Sequence, residues 1–394
     1  MTAERHAVVA RLGEDFLAEA FGRSYRLSRG DGPSVADIIT WDDVNELLAR
    51  HRMESPRLRL SADGAVIPLD AYTVPEVAKR RTVFHRMHPA ALHEQLAKGA
   101  TLVIDAVDEV IPGVQTLASD LEAALRSKVQ VNLYASWTAR EGFGVHWDDH
   151  DVVVVQIDGS KRWKLYGPTR TAPMHLDMAE PEPPPEEPTV EFVLTPGDVL
   201  YLPRGWWHAV SASEGERSLH LTCGLSTTTG ADLIVWLSEI LRSNDIVRAD
   251  LPRFGTSGQK RETVSALRDL LVEELCDEGA IDRFFALRDA DERVRFRPSL
   301  PFVDRVPADP KVKARLLTTR HTLQVSEGGT VVFTAGGSSW TFADLALPLL
   351  ERLADRSEYQ LADLVTGTAL TLDQAAGLLT ELVTGQVLTV GGGT

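Results

Sequence analysis

His146-Trp147-Asp148-Asp149-His150-Asp151-Val152-Val153-Val154-Val155-Gln156-Ile157-Asp158-Gly159 joins a polar, ligand-rich opening to an apolar run. β-Branched side chains favour the pleat and Asp-Gly closes hairpins, so the run predicts a buried strand ended by a turn. In extended chain alternate side chains share a face, which puts His146 and Asp148 together and Trp147 on the other side. A third ligand must then come from a neighbouring strand. His208 follows Gly197-Asp198-Val199-Leu200-Tyr201-Leu202-Pro203-Arg204-Gly205-Trp206-Trp207, a turn, a short apolar run and a second turn that deliver it to the same point. Two imidazoles and a carboxylate on one side of an ion leave the other side open, the donor set of non-haem Fe(II) oxygenases. Taken alone, the three residues also read as a His–Asp hydrogen-bonded pair with a separate buried histidine.

Beyond the turn, Lys161, Trp163 and Leu165 share one face, with Arg162, Lys164 and Tyr166 on the other. Lys161 thus accompanies two apolar side chains inward. A buried ammonium is costly unless an anion meets it, and that face offers no acidic partner. A bound carboxylate resolves the difficulty; the other reading has Lys161 snorkelling out at the strand end. Asn132 and Tyr134 alternate in Val131-Asn132-Leu133-Tyr134 and read either as polar groups of the same cavity or as ordinary strand residues. His220 and Thr222 share a face in Leu219-His220-Leu221-Thr222-Cys223, the expected last barrel strand, and both are read as facing the cosubstrate. A second His-x-Asp, His175-Leu176-Asp177, lies between Met174 and Met178 without strand alternation around it and is not expected to bind metal.

Asn132-Leu133-Tyr134, Gly142 to Asp151 with Gly142-Phe143-Gly144-Val145 leading into the His-x-Asp, Gln156 to Trp163, and Pro196 to His208 occur in an order and at separations that resemble the JmjC ribosomal-oxygenase family. The resemblance implies an Fe(II)- and 2-oxoglutarate-dependent protein hydroxylase of the cupin superfamily, built on a double-stranded β-helix. By it, His146, Asp148 and His208 hold iron, and Lys161 receives the distal carboxylate of 2-oxoglutarate. Asn132 matches an asparagine beside the cosubstrate, and Tyr134 lines its pocket. His150 falls where the family has an aromatic residue, so a role beside the metal is expected for it rather than ligation.

With 394 residues the chain exceeds one typical domain, and 43% hydrophobic residues supply an ordinary globular core. Two cysteines, Cys223 and Cys276, make a disulfide framework unlikely and suit a reducing compartment. Neither a leader pattern nor a run long and apolar enough for a membrane span is visible, so a cytoplasmic protein without membrane partners is expected. The net charge of −16, from 57 acidic and 41 basic residues, opposes nonspecific nucleic-acid binding and suits a basic polypeptide.

The overall expectation is a mixed α+β chain. Residues 1–90 form a helical and strand lead-in, with one helix over residues 3–20, another from Trp41 to Leu48, and a strand at Arg57-Leu58-Arg59-Leu60. Within this lead-in, Phe21 to Leu27 lacks the tryptophan and proline usual in the family. Residues 91–229 form the JmjC double-stranded β-helix. The proline-rich tract 179–188 is expected as an exposed loop between barrel strands, because prolines lack donors for a sheet. Residues 230–310 turn helical, with apolar stripes at Leu233, Ile234, Trp236, Leu237, Ile240 and Leu241 and at Val264, Leu267, Leu270, Leu271 and Leu275, continued by Ile281, Phe284 and Phe285. The resemblance implies homodimerisation there; packing within one chain is the other reading. Residues 311–394 read as a winged helix: helices from Phe342 to Leu353 and Ala369 to Leu382, then a strand from Gln386 to Val390. From His321 to Thr394 two basic residues, Arg352 and Arg356, face eight acidic ones, which disfavours a DNA-reading helix.

The expected activity is hydroxylation of an amino-acid side chain, with Fe(II), 2-oxoglutarate and O2 and with the β-carbon of arginine or histidine in a ribosomal protein favoured. A peptide natural product is the alternative substrate, and lysine demethylation is less favoured. A non-catalytic cupin-like metal-binding scaffold or sensor is the alternative of another class; complete His146, Asp148, Lys161 and His208 argue against it.

Overall fold

Val152 to Val155 are each at most 2% exposed, because the strand carrying them is covered on both faces. Val153 and Val155 enter one core with Leu133, Tyr201 and Leu221, while Val152 and Val154 enter another with Trp163, Leu165, Leu200 and Leu202. Burying a side chain of this size is worth roughly 1.5–3 kcal/mol, so the period of two is enforced from both sides. The structure is a computed structural model. It describes residues 7–392 except 31, 63, 78–80, 82, 139–143, 180–182, 213–215, 293 and 327. Gly142 and Phe143 of the motif, residues 3–6 of the first expected helix and residues 180–182 of the proline-rich tract lie outside the described residues.

Contacts divide the chain into two units, Met1–Thr227 and Thr228–Thr394. Strands of the first are β1 (Arg26–Ser28), β2 (Leu58–Ala62), β3 (Ala65–Val66), β4 (Thr73–Val77), β5 (Val83–Met87), β6 (Thr101–Ile104), β7 (Val129–Ser136), β8 (Asp151–Gly159), β9 (Lys161–Pro168), β10 (Val190–Leu194), β11 (Val199–Leu202), β12 (Trp206–Ala212) and β13 (Ser218–Leu225). They form an eight-stranded sheet in the order β1-β11-β8-β13-β7-β6-β2-β3, a three-stranded sheet β10-β9-β12, and a β4-β5 ribbon. The apolar face of the large sheet is covered by the helix Pro112–Leu125, whose Val114, Leu117, Ala118 and Leu121 are fully buried.

Two expectations about this unit change. Asp158-Gly159 does not close a hairpin: β8 pairs with β11 and β13, whereas β9 pairs with β10 and β12. The chain crosses from one sheet to the other there, through a Gly159 with φ +64°. A Cβ on Gly159 would stand 1.7 Å from the Arg217 carbonyl oxygen, so the crossing demands glycine on both counts. The first expected helix is two short ones, Ala7–Leu12 and Phe16–Glu19, broken at Gly13 with φ +89°; its apolar stripe survives the break in Val8, Leu12 and Phe16, while Leu17 is exposed. The helix Trp41–Arg50 opens on a Thr40–Asp43 capping box.

The second unit begins with helices Gly230–Ile240, Asp245–Arg248, Ser257–Leu275 and Ala280–Asp291. Its core lies beyond them, among Val331, Phe333, Leu349, Leu350, Leu361, Leu379 and Leu382. Phe342 belongs to a strand, Ser338–Ala343, of a three-stranded sheet with Thr322–Ser326 and Thr330–Ala335; the helix expected from Phe342 starts only at Leu347. The alternation of β-branched and aromatic residues in Thr330–Ala335 and Ser338–Ala343 outweighs the helical spacing of Phe342. A second small sheet joins Lys313–Leu316 to Tyr359–Gln360 and Leu388–Gly391, and Leu361–Val365 precedes Leu372–Thr384. Among the described residues no helix is long and apolar enough to cross a membrane.

Candidate metal and cosubstrate site

His146 and His208 face each other across a single antiparallel bridge, His146 N donating to His208 O at 3.0 Å and His208 N to His146 O at 2.8 Å. Residues 144–150 are otherwise loop, so the strand expected to align His146 with Asp148 exists at one residue only. Asp148 is held instead by its carbonyl, which accepts Gly205 N at 2.8 Å. His208 lies on β12 next to a bulge at Trp207/His208, a local kink that re-aims a side chain. The outcome is the expected convergence: one ligand atom from each of His146, Asp148 and His208 falls within 4.8 Å of the others, and His208 Nε2 lies 3.7 Å from Asp148 Oδ2.

Both imidazoles are oriented by backbone. His146 Nδ1 sits 3.0 Å from Gly144 O and His208 Nδ1 2.9 Å from Trp206 O. Carbonyls only accept, so each Nδ1 carries the hydrogen and each Nε2 presents its lone pair, the tautomer a metal requires. Burial, then the neighbouring His146, pushes the pKa of His208 down to about 4, which keeps it neutral and ligating at physiological pH. Trp163 stacks on the His208 ring at 5.6 Å and 23°. The donor set and its one-sided arrangement fit a divalent iron with open positions.

The triad forms one wall of a small cavity, also lined by Thr101, Tyr134, Gly144, Val152, Lys161, Trp163, Val210, His220 and Thr222. Lys161 is 4% exposed, and its Nζ donates to Ser136 Oγ at 2.7 Å. Among the described residues no carboxylate pairs with it, and burial brings its pKa down to about 8. Two further buried polar atoms, His220 Nδ1 and Trp163 Nε1, find no partner among the described residues. Burial, then the Lys161 charge, holds His220 well below the usual histidine range, and its ring stacks on Tyr134 at 5.0 Å and 5°. One end of the cavity therefore carries a cation and unfilled polar positions, which suits a carboxylate.

Lys161, Tyr134 and Thr222 are thus brought together with the triad, and Asn132 is not. Asn132 Oδ1 accepts Ala106 N at 3.1 Å and Gln130 Nε2 at 3.2 Å, and its side chain also hydrogen-bonds Tyr134. It braces the cavity wall from behind. Burial, then the nearby Asp148 charge, pushes the Tyr134 phenol up to about 12, so it stays protonated. Ser136 was missed, although it continues the alternation of Asn132 and Tyr134 along β7. His150 and His175 hold the same carboxylate, through Asp149 Oδ1 at 3.0 Å and Asp149 Oδ2 at 2.8 Å, and neither belongs to the metal cluster.

Residues 111–233 match the family model described as the JmjC domain. The chain is 26% identical over 302 residues to the bifunctional lysine-specific demethylase and histidyl-hydroxylase NO66 of Aedes aegypti, an alignment covering 68% of this chain and 44% of that protein. The chain thus spans less than half the length of that relative. Among solved structures, Escherichia coli YcfD matches over 96% of this chain and 97% of its own, with a TM-score of 0.59 and 17% identity. A second structure of YcfD, a ribosomal oxygenase in complex with cobalt and 2-oxoglutarate, matches with a TM-score of 0.58 at 17% identity, over 96% of this chain and 98% of that one. At this identity the likeness concerns the fold.

Proposed function

We propose, from the match of residues 111–233 to the JmjC domain model together with the metal and lysine geometry, that the protein is an Fe(II)- and 2-oxoglutarate-dependent oxygenase that hydroxylates a side chain of a polypeptide. The observation that carries the reading is the pairing, in one cavity, of an open three-ligand metal face with a buried lysine that lacks an acid. Iron bound by His146, Asp148 and His208 supplies the activation of O2 coupled to oxidation of 2-oxoglutarate. The protein's own contribution is placement. Lys161, steadied by Ser136, holds the distal carboxylate; Trp163 fixes the plane of His208; the apolar walls Val152 and Val210 keep water from the reacting end.

The favoured substrate is a ribosomal protein, modified at the β-carbon of arginine or histidine, with a peptide natural product as the alternative. The similar proteins support this: one is a ribosomal oxygenase, the other a bifunctional lysine-specific demethylase and histidyl-hydroxylase. Iron-loaded protein incubated with 2-oxoglutarate, ribosomal proteins and candidate peptides is expected to release succinate and add the mass of one oxygen to the target. His208→Ala abolishes both, by more than the roughly 10–100-fold typical of losing a residue that only supports a ligand. Loss of methyl groups in place of oxygen gain overturns hydroxylation in favour of demethylation.

We further read the helices of residues 230–310 as a homodimerisation surface. Ser257–Leu275 buries none of its side chains, and Val264, Val272 and Leu275 are more than half exposed. Residues 311–394 are read as a winged helix whose acidic balance suits protein contact rather than DNA.

A further inference from the structure

The metal cavity has a rim where the fold pins a loop and leaves its apolar side chains in water. Thr169 N donates to Gly205 O at 2.7 Å, and Gly205 N donates to the Asp148 carbonyl, so the start of the loop is tied to the backbone of a metal ligand. Pro173 is buried against Gly205 so closely that a Cβ there would stand 2.4 Å from Pro173 Cγ. His175 Nδ1 reaches Asp149 Oδ2 at 2.8 Å, a second tie one residue from Asp148. Asp177 closes the turn by accepting Met174 N at 2.8 Å and Arg170 at 2.7 Å. Despite these anchors Met174, Leu176 and Met178 are 46%, 83% and 40% exposed. Scattered exposed apolar residues are ordinary, but three within one anchored turn beside a reactive cavity mark a contact surface.

We propose that this turn grips the polypeptide substrate through an apolar side chain that flanks the modified residue. The inference rests on the oxygenase reading and adds to it the chemistry of the substrate's neighbouring sequence. Position names the occupant: Asp149 and Gly205, to which the turn is tied, border Asp148, so the turn lies beside the place where a polypeptide side chain would be offered to the ion. Methionine and leucine adapt to varied apolar partners. Glu186 and Glu187, farther along the chain, are exposed, and the net charge of −16 suits cationic residues in the peptide.

The test uses full-length protein loaded with Mn(II) and 2-oxoglutarate without dioxygen. The probes are a fluorescein-labelled, lysine-rich peptide with a central histidine and a flanking leucine, and its twin with serine in place of the leucine. Wild type is expected to bind the leucine peptide about tenfold more tightly, a difference of 1.4 kcal/mol. Met174→Ser/Leu176→Ser/Met178→Ser removes the preference and keeps 2-oxoglutarate affinity unchanged, since none of the three is buried. Equal affinity of the twins for wild type, or a preference that survives in the triple variant, overturns the proposal. Binding of 2-oxoglutarate by the same wild-type protein reports separately on the oxygenase reading, so failure of one is distinguishable from failure of the other.

Discussion

The cavity wall of the first unit and the helices that open the second break the usual sorting of residues in opposite ways. In the wall, polar groups are hidden: Lys161, His208 and His220 are 5% exposed or less, among valines and tryptophan. In the helices, apolar groups are displayed: Ile234, Val235, Val264 and Ile281 are each more than half exposed. A hidden cation costs stability until an anion arrives, and a displayed apolar face loses solubility until a surface covers it. Each departure from sorting points to what would complete it, a small anionic ligand in one region and, on the proposed reading, a covering surface in the other.

The hidden cation gives the largest expected effect. Lys161→Met should weaken 2-oxoglutarate binding by about 100-fold or more, the order expected when one partner of a buried charge pair is removed. The same substitution should stabilise the ligand-free protein, by about 1–4 kcal/mol, because it removes an ammonium with no counterion. Its pH dependence has a definite sign. The folded pKa is about 8 against an ordinary 10.5, so between those values the unfolded chain binds more protons and stability rises with pH. Wild type should gain on the variant from pH 8 to 10.5 in denaturant titrations, and 2-oxoglutarate affinity should fall as pH rises above 8, where the free lysine loses its charge. A variant that is less stable than wild type at every pH would show that Lys161 is a structural cation already satisfied by Ser136.

The displayed face gives an intermediate effect. Leu271→Glu and Val264→Glu place charges on Ser257–Leu275, where the parent residues are 40% and 66% exposed. Light scattering should show a shift from dimer to monomer, while succinate release per chain stays within about twofold. Unchanged mass would mean that the face is covered by another kind of partner.

The two regions also differed in how far the sequence disclosed them. The triad was legible because its residue types are few, His146 and Asp148 are two positions apart, and a turn, apolar run and second turn precede His208, even though the strand invoked to align His146 and Asp148 is mostly loop. Lys161, Trp163 and Leu165 were legible because alternation along β9 holds without interruption. The hairpin at Asp158-Gly159 was misread because a glycine with positive φ serves a sheet-to-sheet crossing as well as a tight turn, and pairing partners are not local information. Phe342 was misread for a related reason: one aromatic at helical spacing carries less weight than a strand paired along its length to Thr330–Ala335. The exposed turn at Met174 to Met178 carried no periodic signal, and only its anchors to Gly205 and Asp149 reveal it.

Asn132 offers the smallest expected effect and the finest distinction. Its motif match implied contact with the cosubstrate, whereas its side chain is engaged by Ala106 N, Gln130 and Tyr134. Asn132→Ala should therefore cost about 0.5–1.5 kcal/mol of stability, the usual net worth of one such hydrogen bond, since the Ala106 amide loses its acceptor. Affinity for 2-oxoglutarate should change by less than about threefold, a shift under 1 kcal/mol, and Tyr134→Phe in the same background should add little, because the two act through one contact. A larger loss of affinity with unchanged stability would place the amide on the ligand and require the β7 wall to shift when the cavity fills.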